Sequence, residues 1–475
     1  MAQGDDEIWE YVDAKKGPFI ALSDRVWGTP ELCYTEEQSV AEHTRVLEAE
    51  GFRVTRNVAG IPTAVIGEAG EGGPVVAILG EYDALPGLSQ EAGVAEPRPL
   101  PGSGNGHGCG HNLLGAGSLL AATAVKDYLA AKGLPGRVRY YGCPAEEGGA
   151  AKGFMVRSGA FGDVDAAVSW HPSSFAGVTE AKSLANTRID FTFHGRSAHA
   201  AGAPHLGRSA LDAVELMNVG VNYLREHMPD SARIHYALLD AGGIAPNVVQ
   251  AKAKVRYLIR AADLGELTPL VERVRKVADG AALMTETTVE TRVLGAVSNL
   301  LANEPLERTM QDAMERLGPP DFDEEDRAIA ALFQATMDRN DIVATYRRAG
   351  LEPRFDTVLC DAIVPREARG QGGNGSTDVG DVSWAVPTVQ AHGATWTIGT
   401  PGHSWQVTGQ GKTEHAKKGM VHAAKTMAST ALVALTDAQV RAEAKRDLDR
   451  RTTVQPYVSP LPAGVEPPLD MSRSA

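Results

Sequence analysis

The chain has 475 residues, 43% of them hydrophobic and 22% charged, with a net charge of −14 at pH 7. Single cores stop growing at about 250–300 residues, so two domains are expected. The acidic balance excludes a nucleic-acid partner, which would need a clustered basic surface; no stretch is apolar and long enough to span a bilayer, and the acidic N-terminal segment has no apolar signal core, so a cytoplasmic protein is expected.

In chain order, the first third alternates strands and helices: a strand over 74–80 (PVVAILG), a helix from about Leu113 to Lys132, a strand over 137–142 (RVRYYG) and another over 165–170 (DAAVSW). Strands separated by helices predict an α/β domain, a mostly parallel mixed sheet covered by helices. Polar residues follow each strand: Glu81 to Asp83 after the first, Glu146 and Glu147 after the second, His171 after the last, where Pro172 is expected to stop the strand. Ligands of open α/β sheets bind beyond the carboxyl ends of the strands, so these residues are expected to gather at one edge.

From residue 186 the texture changes. An alternating strand (NTRIDFTFHG), a helix from about Gly207 to Glu226, two strands (IHYALLD and AKVRYLIRA), a helix from about Leu264 to Leu283 and a strand (TTVETRVL) give the ferredoxin-like α+β order. An inserted lid over 186–295 is therefore expected, dividing a catalytic domain into 1–185 and 296–475. Polar or glycine-rich loops are expected at 321–328 and 366–381, and a poorly ordered, proline-rich tail from about Thr453.

The stretch GHGCGHN (106–112) sets His107, Cys109 and His111 at alternate positions among glycines that let side chains two apart bend toward one point. Cysteine and histidine suit zinc or a similar ion, but alone the stretch reads equally as a turn and needs partners from elsewhere. The four cysteines (Cys33, Cys109, Cys143, Cys360) form no CxxC pair and suggest no disulfide framework. Of the carboxylates Glu146 and Glu147, one can bind metal while the other handles a proton. His171 and His403, the latter in GTPGHSW, complete a five-residue set with Cys109, His111 and Glu147; His392 competes with His403. Two zinc-like ions need one of these ligands to bridge, and a thiolate can do so.

These segments, with GEYDALPGLSQ, GRSAHAA, GGIAPNVVQ and GSTDVGDVSW, resemble the dinuclear metallo-amidohydrolases of the aminoacylase and carboxypeptidase G type, peptidase family M20, in order from about residue 10 to residue 440. The resemblance implies two divalent metal ions, zinc or manganese; Cys109 as bridging ligand, with His111, Glu147, His171 and His403 as terminal ligands; and Glu146 as the base that activates water. It implies that lid residue His199 serves the active site of a partner copy, that Asn247 and Arg260 contact substrate, and that Asp83 supports a ligand from behind. The family's usual ligand histidine two residues before the aspartate is Glu81 here, and the role of Asp378 is open. The branch most alike implies cleavage of an N-acyl amino acid, foremost p-aminobenzoyl-glutamate, a C–N bond other than an ordinary peptide bond. A homodimer or higher oligomer is implied, and a homologous second chain is a further partner. The rival readings are hydrolysis of another aromatic amide or dipeptide, deamination of an aromatic amine, a chain that works only with its homologous partner, and a cysteine-nucleophile amidase built on Cys109.

Overall fold

The computed structural model of the chain describes residues 2–178, 181–370 and 375–472. Helices α1 (Ala2–Trp27) and α2 (Glu37–Ala49) lead into strands β1 (Arg53–Arg56), β2 (Val65–Glu71) and β3 (Val75–Glu81). Then come α3 (His111–Lys132), β4 (Gly136–Cys143), α4 (Ala151–Arg157) and β5 (Ala166–Ser173). The next segment comprises β6 (Ala185–His194), α5 (Ala210–Leu224), β7 (Arg233–Asp240), β8 (Lys252–Ala261), α6 (Leu264–Thr285) and β9 (Thr288–Val297). The chain returns through α7 (Glu304–Leu317), α8 (Glu324–Gln334), α9 (Arg339–Ala349), α10 (Val379–Ala385), β10 (Thr388–Ala394), α11 (Trp405–Gln410), α12 (Glu414–Thr436) and α13 (Ala438–Val454).

Among the described residues two sheets form. The larger runs β1-β2-β4-β3-β5-β10, parallel from β4 to β10 with β1 and β2 antiparallel at one edge. Its central strand β3 is buried throughout, which is why VVAILGE reads as a continuous apolar run. Helices α1, α3 and α12 pack together against this sheet through Phe19, Leu119 and Met427, so the expected α/β class holds. The smaller sheet, β7-β8-β6-β9, is antiparallel and carries α5 and α6 on one face, where Ile189, Phe191 and Phe193 alternate inward. Its other face is polar and turns toward the larger unit: Arg188 donates to the Glu147 carbonyl, and Arg260 to the Ser376 hydroxyl at 2.9 Å.

Three expectations are corrected. Pro172 does not stop its strand: β5 continues to Ser173, paired with β10. Pairing of β5 with β3 has already ended at Val168, so the sheet tolerates a proline there. The acidic run 321–328 is only half loop, because Asp323 and Asp326 form a reciprocal capping box that starts α8. The tail is not loose: Leu461 and Met471 are buried in the core under β4 and α4, Tyr457 donates to Asp381, and Asp470 pairs with Arg292. Apolar residues spaced between the prolines supply the anchoring that composition alone hides. Of the glycine-rich loop 366–381, residues 371–374 lie outside the described residues.

Candidate metal centre

Three strand ends of the larger sheet deliver the polar residues to one cleft. Glu81 closes β3, with Asp83 two residues on; β4 leads through Pro144 and Ala145 into Glu146 and Glu147; and His171 sits near the end of β5. The GHGCGHN loop arrives at the start of α3. Gly110 has φ +79°, open to glycine at little cost, and this lets the chain swing from Cys109 directly into the helix that begins at His111. A Cβ on Gly106 would lie 2.1 Å from the Leu88 carbonyl, so the loop packs tightly against the chain before it.

Five donors converge here. The ligand atoms of Cys109, His111 and His171 lie within 4.8 Å of one another, and so do those of Cys109, Glu147 and His403; Cys109 belongs to both groups. Cys109 Sγ is 3.4 Å from His171 Nε2, and His403 Nε2 is 3.4 Å from Glu147 Oε1. His111 Nε2 and Glu147 Oε1 are buried with no hydrogen-bond partner. Unpaired buried lone pairs cost stability unless something occupies the space between them, and a thiol, three imidazoles and a carboxylate are the donor set of a zinc-like ion. The residues therefore fit two cations that share Cys109. Burial and the charge of Glu147 push the Cys109 thiol well above its ordinary value, so a cation is what would hold it as thiolate. His392 stands beside His171 in the β5–β10 register but joins none of these groups; His403 does. His107 also stays out: its Nε2 is 3.0 Å from the Val26 carbonyl.

Supporting residues set the angles. Asp83 lies 2.9 Å from His111 Nδ1, leaving Nε2 to face the cleft, and its other oxygen accepts the Glu147 backbone N–H at 2.9 Å. Buried Glu36 accepts from the backbones of Tyr34 and Ala145, both at 2.9 Å, and Tyr34 donates to the Gly149 carbonyl at 2.6 Å. These bonds hold the 145–150 turn, where Ala145 and Ala150 adopt left-handed φ values of 57° and 55°. His403 is itself at φ 56°, fixed by its N–H to the Gly108 carbonyl. Non-glycine residues in that region carry strain, and here they flank or form the cluster. Burial and the charge of Asp83 push the Glu36 carboxyl up to about 8.

Glu146 is partly exposed and stands with Glu81 and His111 in a third group within 4.8 Å. Burial and the charges of Glu81, Glu147 and Asp378 push its carboxyl well above the ordinary range. Glu147 goes the other way: burial raises it, but His403 and His111 outweigh burial and hold it low. Beneath them, fully buried Lys152 binds Glu81 and Asp378, each at 2.6 Å. Glu81 thus sits between a lysine and a histidine, and Asp378 serves that lysine.

The lid residues divide. Arg260 reaches the cleft through Ser376, close enough for Glu146 to act on its charge. His199 and Asn247 do not join the cluster; both are exposed on one knot of lid backbone, where the Ala200 N–H donates to the Asn247 carbonyl and His199 bridges to Val248. Sequence reasoning passed over Glu36, Lys152 and Arg188. The first two lie on helix-flanking positions with no motif, and only burial distinguishes them; Arg188 was visible only as the odd charge on an alternating strand.

Residues 77–345 match peptidase family M20/M25/M40. The chain is 47% identical to one of the two kinds of subunit of the p-aminobenzoyl-glutamate hydrolase of Escherichia coli (strain K12), across 97% of this chain and 99% of that one. It is 30% identical to the other kind of subunit of the same organism's hydrolase, over 49% of this chain and 54% of that one. Among solved structures, a dinuclear metal-binding peptidase of the M20 family from Bacillus subtilis superposes with a TM-score of 0.55 at 19% identity, covering 89% of this chain and 99% of that one, a likeness of fold.

Proposed function

The chain belongs to peptidase family M20/M25/M40, a metal-dependent amidohydrolase by that membership, and from this premise we propose that it cleaves the amide of p-aminobenzoyl-glutamate to p-aminobenzoate and glutamate. The observation that carries the reading is the pair of three-donor groups sharing Cys109, with Glu146 free beside them. Cys109, His111, Glu147, His171 and His403 would hold two divalent ions; cysteine and histidine favour zinc, and the carboxylate admits manganese. Such ions supply Lewis acidity, polarising a carbonyl and acidifying a water.

The chain's own residues do the rest. Glu146 takes the proton from the attacking water at a carboxylate oxygen and returns it to the leaving nitrogen as the C–N bond breaks. Asp83 keeps the His111 tautomer that leaves Nε2 as the donor. Arg260, planar and partly buried, offers two parallel N–H bonds to a substrate carboxylate.

The unit formed by 1–185 and 296–475 would be catalytic, with 186–295 as lid and dimerisation domain. Strand β7 pairs only with β8 and leaves Tyr236, Leu238 and Leu239 exposed at its edge, while Tyr223 on α5 is 74% exposed. An unpaired edge beside apolar side chains supports association with a second copy, or with a homologous second chain, that would bring its His199 and Asn247 to this chain's cleft. Four buried free cysteines favour the reducing cytoplasm.

The test is release of p-aminobenzoate and glutamate by the purified chain alone, after chelation and after adding back zinc or manganese. Stoichiometric release restored by metal is the expected outcome. Ammonia without glutamate would replace the reading by deamination; chelator-resistant activity killed by alkylation of Cys109 would replace it by thiol catalysis; activity only with a homologous second chain would make the partner obligatory.

A further inference from the structure

Next to the cluster lies a cavity of about 300 Å³. Its floor comes from the carboxyl ends of β5 and β10, through His171, Ser173, Gln390 and His392, and its far wall from Thr345 and Arg348 of α9. Trp396 separates it from the GHGCGHN loop, its ring edge-on to His171 with centroids 6.4 Å apart. We propose that this cavity is a subsite for an acidic substrate side chain and that Arg348 is the residue that selects for its carboxylate. The proposal rests on the amide-hydrolase reading above and extends it to substrate choice.

Charge is the first argument. The chain carries a net −14, yet the described lining of this cavity contains Arg348 and Lys182 and no aspartate or glutamate. Arg348 forms no ion pair among the described residues, unlike many surface arginines of this protein, such as Arg53, Arg139 and Arg292. Hydrogen-bonding capacity is the second. Gln390 Nε2 and Trp396 Nε1 are buried donors with no partner. An ionised carboxylate only accepts, so it answers both donors and the guanidinium together; an ammonium or a hydrocarbon would leave them unpaired.

Continuity is the third. His171 lines both this cavity and the donor cluster, and Ser376, which accepts the Arg260 bond at 2.9 Å, lines the cavity as well. One path therefore runs from the reacting centre past Arg260 to Arg348. A dicarboxylic amino acid has two anionic groups to place: its α-carboxylate on Arg260, nearer the amide, and its side-chain carboxylate on Arg348. The wall is held firmly enough to discriminate. Helix α9 starts on the Asp338–Asp341 capping box, Tyr346 packs on Phe175 with ring centroids 5.1 Å apart, and the helix ends at Gly350 with φ +72°, where a Cβ would come within 2.8 Å of the Arg369 backbone.

The experiment compares kcat/KM for p-aminobenzoyl-glutamate and p-aminobenzoyl-glutamine, which differ only in the side-chain charge, in the wild type, Arg348→Met and Arg348→Lys. The ratio within each preparation is independent of how much of it is folded. The wild type should prefer the glutamate substrate by about ten- to hundredfold, the scale of one charge-assisted hydrogen bond, expressed in KM. Arg348→Met should bring the ratio toward one, and Arg348→Lys should keep part of it. Equal use of both substrates by the wild type, or a ratio unmoved in Arg348→Met, overturns the subsite. If the wild type cleaves neither, the substrate reading falls on its own, and calorimetry with free glutamate and glutamine then decides the cavity: glutamate-selective binding lost in Arg348→Met supports it, and no selectivity overturns it.

Discussion

In the cleft, Cys109, His111, Glu147, His171 and His403 bring their donor atoms together from three strand ends, a helix start and a distant loop of one chain, and two of those donors are buried with nothing to bond. In the lid, His199 and Asn247 are as firmly placed by backbone hydrogen bonds, yet both face solvent. The same contrast runs through the histidines. Those of the larger unit, such as His43, His415 and His422, are buried, whereas His194, His199, His205, His227 and His235 of the lid are all exposed. One region has what it needs within the chain; the other presents groups outward, which is the arrangement expected of residues that serve a second copy.

The largest expected effect tests the self-contained half. Glu146→Gln should lower kcat by about 10²- to 10⁴-fold, the scale of general-base catalysis, while elemental analysis finds its metal content unchanged. Near-native turnover would remove Glu146 from the proton transfer, and lost metal would make it a ligand.

A somewhat smaller effect tests the outward-facing half. His199→Ala should lose about 10²- to 10³-fold if the histidine stabilises developing oxyanion charge. Co-assembling His199→Ala with Glu146→Gln should then restore roughly a quarter of wild-type activity, because a random dimer population holds that fraction of sites with both groups intact. No recovery on mixing would show that His199 acts within its own chain or not at all.

The smallest effect concerns acid stability. Burial lowers His43 to about 3 and His415 and His422 to about 4. Each is neutral when folded and protonates below pH 6.5 when unfolded, so the stability it contributes is complete above that pH and is lost as pH falls toward 4. Replacing His422 by Gln should therefore flatten the pH dependence of unfolding between pH 6 and 4.5 by about one proton, roughly 1.4 kcal/mol per pH unit. All six tryptophans (Trp9, Trp27, Trp170, Trp384, Trp396, Trp405) lie outside 186–295, so urea melts followed by indole fluorescence report the larger unit alone. An unchanged slope in His422→Gln would mean that this ring is not neutral in the folded state.

The expected strands and helices were legible because each carries its own period: VVAILGE is a buried parallel strand, NTRIDFTFH alternates, and the order of elements in the lid has few packings open to it. Ser209 and Asp263 even mark where α5 and α6 start. The ligand types were legible too, since glycine-framed cysteine and histidine and strand-end carboxylates are local features. What misled was also local: Pro172 reads as a stop and the proline-rich tail as loose, whereas strand pairing and burial of Leu461 and Met471 are decided by distant neighbours.

By itself the sequence determined the fold class, the donor set and the amidohydrolase resemblance, because these follow from residue types and spacing along the chain. Only the tertiary structure decided that His403 rather than His392 joins Cys109, that Glu36 and Lys152 brace the cleft from beneath, and that Arg348 faces a cavity free of carboxylates among its described lining. Convergence of side chains hundreds of residues apart depends on how strands order and helices pack, and no local period encodes it.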